Sequence, residues 1–309
     1  MVQKNCLDKI IVICGPTASG KTALSVSVAK ALDTSIIYAD SLDIYKGLNI
    51  GTAKPTEIEM CGVPHYLIDV VSPKNIFSVG DYKEMAEPVL KSLIKNKKIP
   101  IICGGTGFYI NSLLYDLSYG NGKADLEARK KYINLAKEYG NEYVYGILKE
   151  KDPESCEKIH CNDLKRVVRA LEIFESGIKK SDIKDELRPK YDYLAYAIDC
   201  PRDVLYENIE KRVDKMFENG LIEEVKELLN SGVTENDQCM QGIGYKELFQ
   251  YLRGETGLDE TKDKIKLNTK HYAKRQITFF KKLPGIKWLR LDKIENLTEI
   301  ILEDVYDRH

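Results

Sequence analysis

Ile10-Ile11-Val12-Ile13-Cys14-Gly15-Pro16-Thr17-Ala18-Ser19-Gly20-Lys21-Thr22 is the stretch that decides the fold. Its second half, Gly15 through Thr22, matches the phosphate-binding loop G-x-x-x-x-G-K-[ST] at every fixed position, and the apolar run before it reads as a buried strand. Leu24, Val28 and Leu32 then recur every four residues, which predicts an amphipathic helix over 22–32. In this strand–loop–helix context the loop has a mechanism. Gly15 and Gly20 let N–H groups turn toward phosphate oxygens, and the helix N-terminus adds the positive end of its dipole. Lys21 sets an ammonium on the outer phosphates, and Thr22 offers a hydroxyl to Mg²⁺. A chance glycine-rich turn needs neither Lys21 nor Thr22. Diphosphate or nucleotide binding is therefore assigned to Gly15, Pro16, Thr17, Ala18, Ser19, Gly20, Lys21 and Thr22.

Outward from the loop, short apolar runs alternate with helical patterns. Strands are predicted at 10–13, 35–38, 66–70 and 99–103, with a helix at about 81–96. That rhythm predicts an α/β fold, a P-loop NTPase-like parallel sheet flanked by helices. Ligands of such sheets sit beyond the carboxyl ends of the strands, so the loop at 15–22, Asp40-Ser41 and Gly104-Gly105-Thr106-Gly107 should converge on one crevice. From about Asp116 to Lys190 the pattern changes to charged helices broken by Gly, Asn and Asp, before a strand resumes at 193–199. Residues 116–190 are thus expected to form a mostly helical inserted lobe, and 1–115 with 191–309 the core. Pro201 suits the first turn of a helix, and helices follow at 203–218, 221–231, 245–252 and 259–282.

The 309 residues, 43% hydrophobic and 31% charged, contain no run approaching the ~20 apolar residues of a membrane span. Met1-Val2-Gln3-Lys4-Asn5 leads almost directly into a core strand without the separate apolar segment of a signal peptide, so a cytoplasmic protein is expected. The eight cysteines contain no C-x-x-C pair, and Cys14 and Cys103 end apolar strands, where a thiol acts as a small hydrophobe. Cys156, His160 and Cys161 lack a fourth ligand at useful spacing for zinc. Net charge is −1, yet nine Lys or Arg and no Asp or Glu lie between Lys264 and Arg290. Lys266, Lys270 and Lys274 fall at i, i+4 and i+8, with Lys281 seven residues further, as a line of ammonium groups along one helix face. Such a line is commonly a solvated face; with no acidic residue in the segment, it points to a polyanion. The acidic excess, Glu223, Glu224 and Glu227 among it, lies elsewhere.

Asp40 directly follows a buried strand, where a carboxylate can be tuned as a general base or hold a metal, and where it can equally cap a turn. The run Asp40-Ser41-Leu42-Asp43-Ile44-Tyr45-Lys46-Gly47-Leu48-Asn49-Ile50-Gly51-Thr52-Ala53-Lys54-Pro55 resembles the signature of the tRNA dimethylallyltransferases, also called tRNA isopentenyltransferases. Similar to that family, in the same order, are Gly104-Gly105-Thr106-Gly107-Phe108-Tyr109, residues 162–172, Gly242-Ile243-Gly244-Tyr245-Lys246-Glu247 and Tyr272-Ala273-Lys274-Arg275-Gln276-Ile277-Thr278. The likeness spans nearly the whole chain.

The resemblance implies transfer of a dimethylallyl group from its diphosphate to N6 of the adenosine 3′ of the tRNA anticodon, with Mg²⁺ assisting and diphosphate leaving. Asp40 matches the family's catalytic aspartate, and Arg212 a family arginine that approaches the diphosphate, alongside Lys21 and Thr22. Asn208 stands where relatives often carry a second arginine, and Asp43 where many have Gln. By the same resemblance, tRNA contacts are implied for Asp40, Ser41, Leu42, Asp43, Thr106 and Arg129, and for Lys165, Arg166, Val167, Val168 and Arg169. They are implied also for Gln241, Gly242, Ile243, Gly244, Tyr245 and Lys246, and for Lys274, Arg275, Gln276, Ile277, Thr278, Phe279, Phe280 and Lys281. Arg166 and Arg169 would clamp anticodon-stem phosphates, or Arg169 would instead pair with Glu172. The implied partners are tRNA through its anticodon stem-loop and dimethylallyl diphosphate; no membrane and no obligate protein partner are implied.

Two other readings use the same loop. A small-molecule kinase or NTPase would place ATP there, with Leu67-Ile68-Asp69 as a Walker-B-like strand. It leaves the basic 264–290 segment and the lobe without a role. A nucleotide-dependent RNA-binding module without chemistry would have no need of Lys21, Thr22 and Asp40 together.

Overall fold

The computed structural model describes residues 9–117, 125–183 and 187–307. They divide into two compact units, residues 1–114 with 189–309, and residues 115–188. In the larger unit the chain runs β1 (Lys9–Cys14), α1 (Lys21–Ala31), β2 (Ile36–Tyr38), α2 (Glu57–Met60), β3 (His65–Tyr66), α3 (Val79–Lys95), β4 (Ile101–Gly104) and α4 (Gly107–Leu114). The smaller unit contains α5 (Leu126–Tyr139), α6 (Asn141–Lys151), α7 (Pro153–Cys156) and α8 (Leu164–Glu175). The larger unit then resumes with β5 (Asp192–Asp199), α9 (Arg202–Glu218), α10 (Leu221–Asn230), α11 (Leu248–Leu252), α12 (Leu258–Phe280), β6 (Ile286–Arg290) and α13 (Ile294–Asp307).

All six strands are parallel, in the order β3-β2-β4-β1-β5-β6. β1 is central, and Ile10 through Cys14 are fully buried, which is why it reads as an unbroken apolar run instead of an alternating one. Because every strand points the same way, the segments after β1, β2 and β4 emerge on one edge of the sheet. The core on one face joins Leu24, Val28 and Ala29 of α1 to Leu297, Ile301 and Val305 of α13. Cys14 and Cys103 are buried free thiols, and burial pushes the Cys103 thiol up to about 11, as suits a small hydrophobe.

Three features depart from the sequence reading. The strand expected at 66–70 ends at Tyr66, because Leu67 and Asp69 adopt left-handed backbone (φ 67° and 54°). The reversal brings Asp69 to Lys54, whose buried ammonium also donates to Tyr45 O (2.8 Å) and Asn49 Oδ1 (3.0 Å). A buried cation needs an anionic partner, so Asp69 is committed to that pair and is no Walker-B strand end. Second, the helix expected at 245–252 is only Leu248–Leu252, preceded by a 3₁₀ turn at Gln238–Gln241. Third, β6 and α13 were not foreseen, since Ile286-Lys287-Trp288-Leu289-Arg290 is a charged edge strand and read as part of the basic segment.

The smaller unit has its own core, in which Tyr132, Val144, Leu148, Val167, Val168 and Leu171 pack together. Val167 and Val168, expected among RNA contacts, are spent on this core. Lys165 and Arg166 remain exposed on α8, with Arg166 paired to Asp163 at 3.1 Å. Glu172 organises two further cations of the unit: its buried carboxylate accepts from Arg129 (2.9 Å), Arg169 (2.6 Å) and the Asp125 N–H (2.9 Å). The Arg169–Glu172 pair is thus the arrangement found, and both arginine side chains stay about one-third exposed (36% and 34%).

Candidate active site

The loops after β1 and β2, with α9, α12 and the turn at 241–246, surround one cavity of about 390 Å³ in the larger unit. Thr17, Lys21 and Thr22 line it from the loop after β1, Asp40, Ser41, Leu42 and Asp43 from the loop after β2, and Arg212 from α9. The phosphate loop is already wound for an anion. Gly15, Ala18 and Gly20 have positive φ (131°, 61° and 88°), and Ser19 Oγ bonds back to Pro16 O at 2.9 Å. Lys21 Nζ folds onto the same carbonyl at 3.2 Å, and burial lowers its proton affinity. Thr22 Oγ1 lies 3.1 Å from the Tyr38 hydroxyl. Asn208 reaches the loop as well, donating to Ala18 O at 3.4 Å, while Arg212 donates to Thr52 O.

Asp40 makes the turn-capping contact that its sequence position allowed, accepting the Leu42 N–H at 3.0 Å, and it lines the cavity too. Ser41 N donates to Thr106 Oγ1 at 3.1 Å, which locks this loop to the one after β4. Asp43 is 4% exposed and its Oδ1 is buried with no hydrogen-bond partner. Burial and the nearby Asp40 charge push its carboxyl up to about 7, against the opposing pull of Thr52, Arg212 and Lys54. Its folded value lies above the ordinary one near 4. The stability contributed by neutral Asp43 is therefore complete below about pH 4 and is lost as pH rises through about 7. Asp43→Asn is expected to make the fall in melting temperature between about pH 4 and 7 shallower. Parallel pH profiles for the two proteins would assign the titration to another group.

Gly104-Gly105-Thr106-Gly107, expected in the crevice, does not line the cavity; it is tied to the loop after β2 through the Ser41–Thr106 bond and is shaped to receive side chains of α12. A Cβ on Gly105 would meet Gln276 Nε2 at 2.2 Å, and one on Gly107 would meet the Phe279 ring at 2.0 Å. Gln276, 5% exposed, accepts the Thr17 N–H at 2.9 Å and donates to Gly105 O at 3.0 Å. It pins the phosphate loop to its neighbour before any ligand arrives. Gln276→Ala is expected to weaken binding of inorganic pyrophosphate by up to about thirtyfold, because two bonds worth about 1 kcal/mol each no longer hold the loop in its bound shape. Calorimetric titration reads this; unchanged affinity would show that the loop holds itself.

The far wall combines residues implied above as tRNA contacts, at 241–246, with Glu224 and Glu247, which had no role assigned. Glu224, counted in the acidic excess, is 8% exposed and accepts from the N–H groups of Asn49 (2.8 Å), Ile50 (2.7 Å) and Gly51 (3.0 Å). Its fourth donor is the Tyr245 hydroxyl at 2.7 Å, so Tyr245 is a fully buried strut and not a cavity residue. Glu247 holds the adjoining turn, accepting Gly244 N (2.9 Å) and Asn268 Nδ2 (2.7 Å). Gln241, Gly242, Ile243 and Lys246 reach the cavity from that turn, and Gly51, Thr52 and Ala53 from the loop that Glu224 holds. Tyr272, unassigned by sequence, lines it from α12 together with Arg275. The motif around Tyr272 was visible; the direction of its ring was not.

The line of lysines on α12 needs correcting. Lys266 pairs with Asp214 at 2.7 Å and Lys270 with Glu210 at 2.6 Å, both on α9. The segment has no acid of its own, but α9 packs on it through Leu205, Ile209 and Ala273 and supplies two. Lys274, Thr278 and Lys281 line a second groove with Arg202, Tyr206 and Trp288, while Phe280 is core (1% exposed) and Ile277 packs beside α9.

Among the described residues, no helix is long and apolar enough to cross a membrane. The family described as IPP transferase matches residues 43–283. A tRNA dimethylallyltransferase of Acetivibrio thermocellus is 46% identical over 299 residues, covering 96% of each chain. One of Alkaliphilus oremlandii is 45% identical over 302 residues, again 96% of each. Among solved structures, the full-length tRNA isopentenylpyrophosphate transferase of Bacillus halodurans superposes with a TM-score of 0.72 at 36% identity, covering 98% of this chain and all of that one. A eukaryotic dimethylallyltransferase acting on tRNA gives 0.82 at 26% identity, over 97% of this chain and 80% of that one.

Proposed function

The chain belongs to the IPP transferase family of tRNA dimethylallyltransferases, and from that premise we propose that it alkylates N6 of the adenosine 3′-adjacent to the anticodon. The donor is dimethylallyl diphosphate, and diphosphate is released. The observation that carries this reading is one cavity lined by a phosphate-loop lysine, a separate carboxylate and an arginine: Lys21, Asp40 and Arg212. A phosphoryl-transfer enzyme would want an acid at the end of a Walker-B strand; Asp69 is held by Lys54 instead.

Breaking the allylic C–O bond gathers negative charge on the departing diphosphate. The N–H groups of residues 18–22, Lys21 and Arg212 stabilise that charge as it grows. The N6 amine is conjugated to the purine ring and is a weak nucleophile, so aim matters more than basicity. Asp40 accepts the N6–H, orients the lone pair toward the allylic carbon, and takes the proton as the N–C bond forms. A base stacked in its loop cannot reach this cavity, so the adenosine is extruded into it, against Gln241, Gly242 and Ile243. The Thr22 hydroxyl, a hard oxygen lining the cavity, would hold Mg²⁺. Bound there, the ion would supply Lewis-acid neutralisation of the leaving group.

The helical unit would hold the anticodon stem through Arg129, Lys165, Arg166 and Arg169, with Lys274, Arg275, Thr278 and Lys281 adding backbone contacts from the larger unit. The enzyme would act in the cytoplasm, where its tRNA substrate is. Incubating the protein with tRNA, Mg²⁺ and the donor, followed by mass analysis of the nucleosides, tests the proposal. One adenosine per tRNA should gain a five-carbon unit. Phosphoryl transfer from labelled ATP to a small acceptor, with no alkylated adenosine, would replace this reading with the kinase one.

A further inference from the structure

One turn of α12 beyond the cavity-lining Arg275 lies an aromatic pair that the reaction does not use. Phe108, at the start of α4, is 63% exposed, and its ring meets Phe279 of α12 edge-on, with centroids 5.4 Å apart and planes inclined at 61°. Gly107 makes this arrangement possible, since a Cβ there would stand 2.0 Å from the Phe279 ring. Arg275 and Phe279 are one turn apart on the same helix face, and Lys282 continues that face in the turn closing α12. Arg275 also lines the cavity. Arg275, Phe279 and Lys282 therefore follow one another along α12 and the turn that closes it, with Phe108 against the middle one.

A single exposed apolar side chain is ordinary on a protein surface. This one is supported from behind by a second ring and flanked by two cations beside a cavity that takes a nucleobase. That is the composition of a single-stranded nucleic-acid platform, in which rings stack bases while cations follow the backbone. Resting on the reaction proposed above, we propose that Phe108 and Phe279 form a stacking platform for the unpaired nucleobase next to the extruded adenosine. Arg275 and Lys282 neutralise the flanking phosphates. When the adenosine leaves the stack, its neighbour loses a stacking face, and the Phe108 ring replaces it. Because every base has a π-face, the platform favours an unpaired neighbour without selecting its identity.

The test compares the wild type with Phe108→Leu and Phe108→Trp, using an anticodon stem-loop RNA, either intact or with an abasic nucleotide on one or the other side of the target adenosine. Phe108→Leu should weaken binding of intact RNA about tenfold, and Phe108→Trp should stay within about threefold of the wild type. With the abasic nucleotide on the stacked side, wild type and Phe108→Leu should bind alike, because the interaction is already gone. Pyrophosphate affinity should be the same in all three proteins. An intact-RNA affinity unaffected by Phe108→Leu, or a loss equally large on both abasic RNAs, would overturn the platform. Prenyl transfer by the wild type is measured separately, so failure of the reaction and failure of the platform are distinguishable.

Discussion

Asp40→Asn will lower prenyl transfer by roughly 10²- to 10⁴-fold while leaving tRNA affinity within a few-fold. The substitution separates the two jobs of this residue. An asparagine carbonyl can still accept the Leu42 N–H that Asp40 Oδ1 holds at 3.0 Å, so the turn after β2 and the Ser41–Thr106 contact should persist. The negative charge that orients N6–H and receives its proton is what disappears. An amide oxygen is a far weaker base, and the amide nitrogen offers donors where the amine needs an acceptor. Single-turnover measurements with saturating donor isolate this step from binding. Wild-type rates in the variant would remove Asp40 from the chemistry and leave it as a turn cap.

Glu224→Ala should destabilise the protein by several kcal/mol, the largest expected effect on folding. One buried carboxylate satisfies four donors, the N–H groups of Asn49, Ile50 and Gly51 and the Tyr245 hydroxyl. Each buried donor left without a partner costs about 1–3 kcal/mol, in a protein whose total stability is of the order of 5–15 kcal/mol. The loop so released carries Gly51, Thr52 and Ala53, which line the cavity, and Arg212 is anchored on Thr52 O. Catalysis should therefore fall even where the variant remains folded. Urea denaturation gives the stability; a loss under about 1 kcal/mol would mean that water replaces the carboxylate at little cost.

Much of the larger unit was legible in the chain because its signals are local. β1 is a continuous buried apolar run, the phosphate loop has fixed spacing, and α1 repeats every four residues. Asp40 was legible as a residue ending a strand in a parallel sheet, since all such ends share an edge. β3 was overread because an apolar run does not reveal that Leu67 and Asp69 turn left-handed to reach Lys54. The lysines of α12 were overread for the same kind of reason: their acidic partners, Asp214 and Glu210, lie about fifty to sixty residues away along the chain, on α9.

What the sequence by itself determined was an anion cradle on a parallel sheet, a carboxylate on the neighbouring strand end, and a family whose motifs run in order along the chain. Short-range periodicity and spacing carry such information because hydrogen-bonded elements and tight loops are settled by residues near in sequence. Only the tertiary structure decided that Gln276 ties the cradle to Gly105, that Glu224 builds the opposite wall, and that one carboxylate oxygen of Asp43 sits unpaired near Asp40. Each of these depends on burial and on partners brought from distant segments. The cost of a buried charge or an unpaired donor exists only once the chain has closed around it.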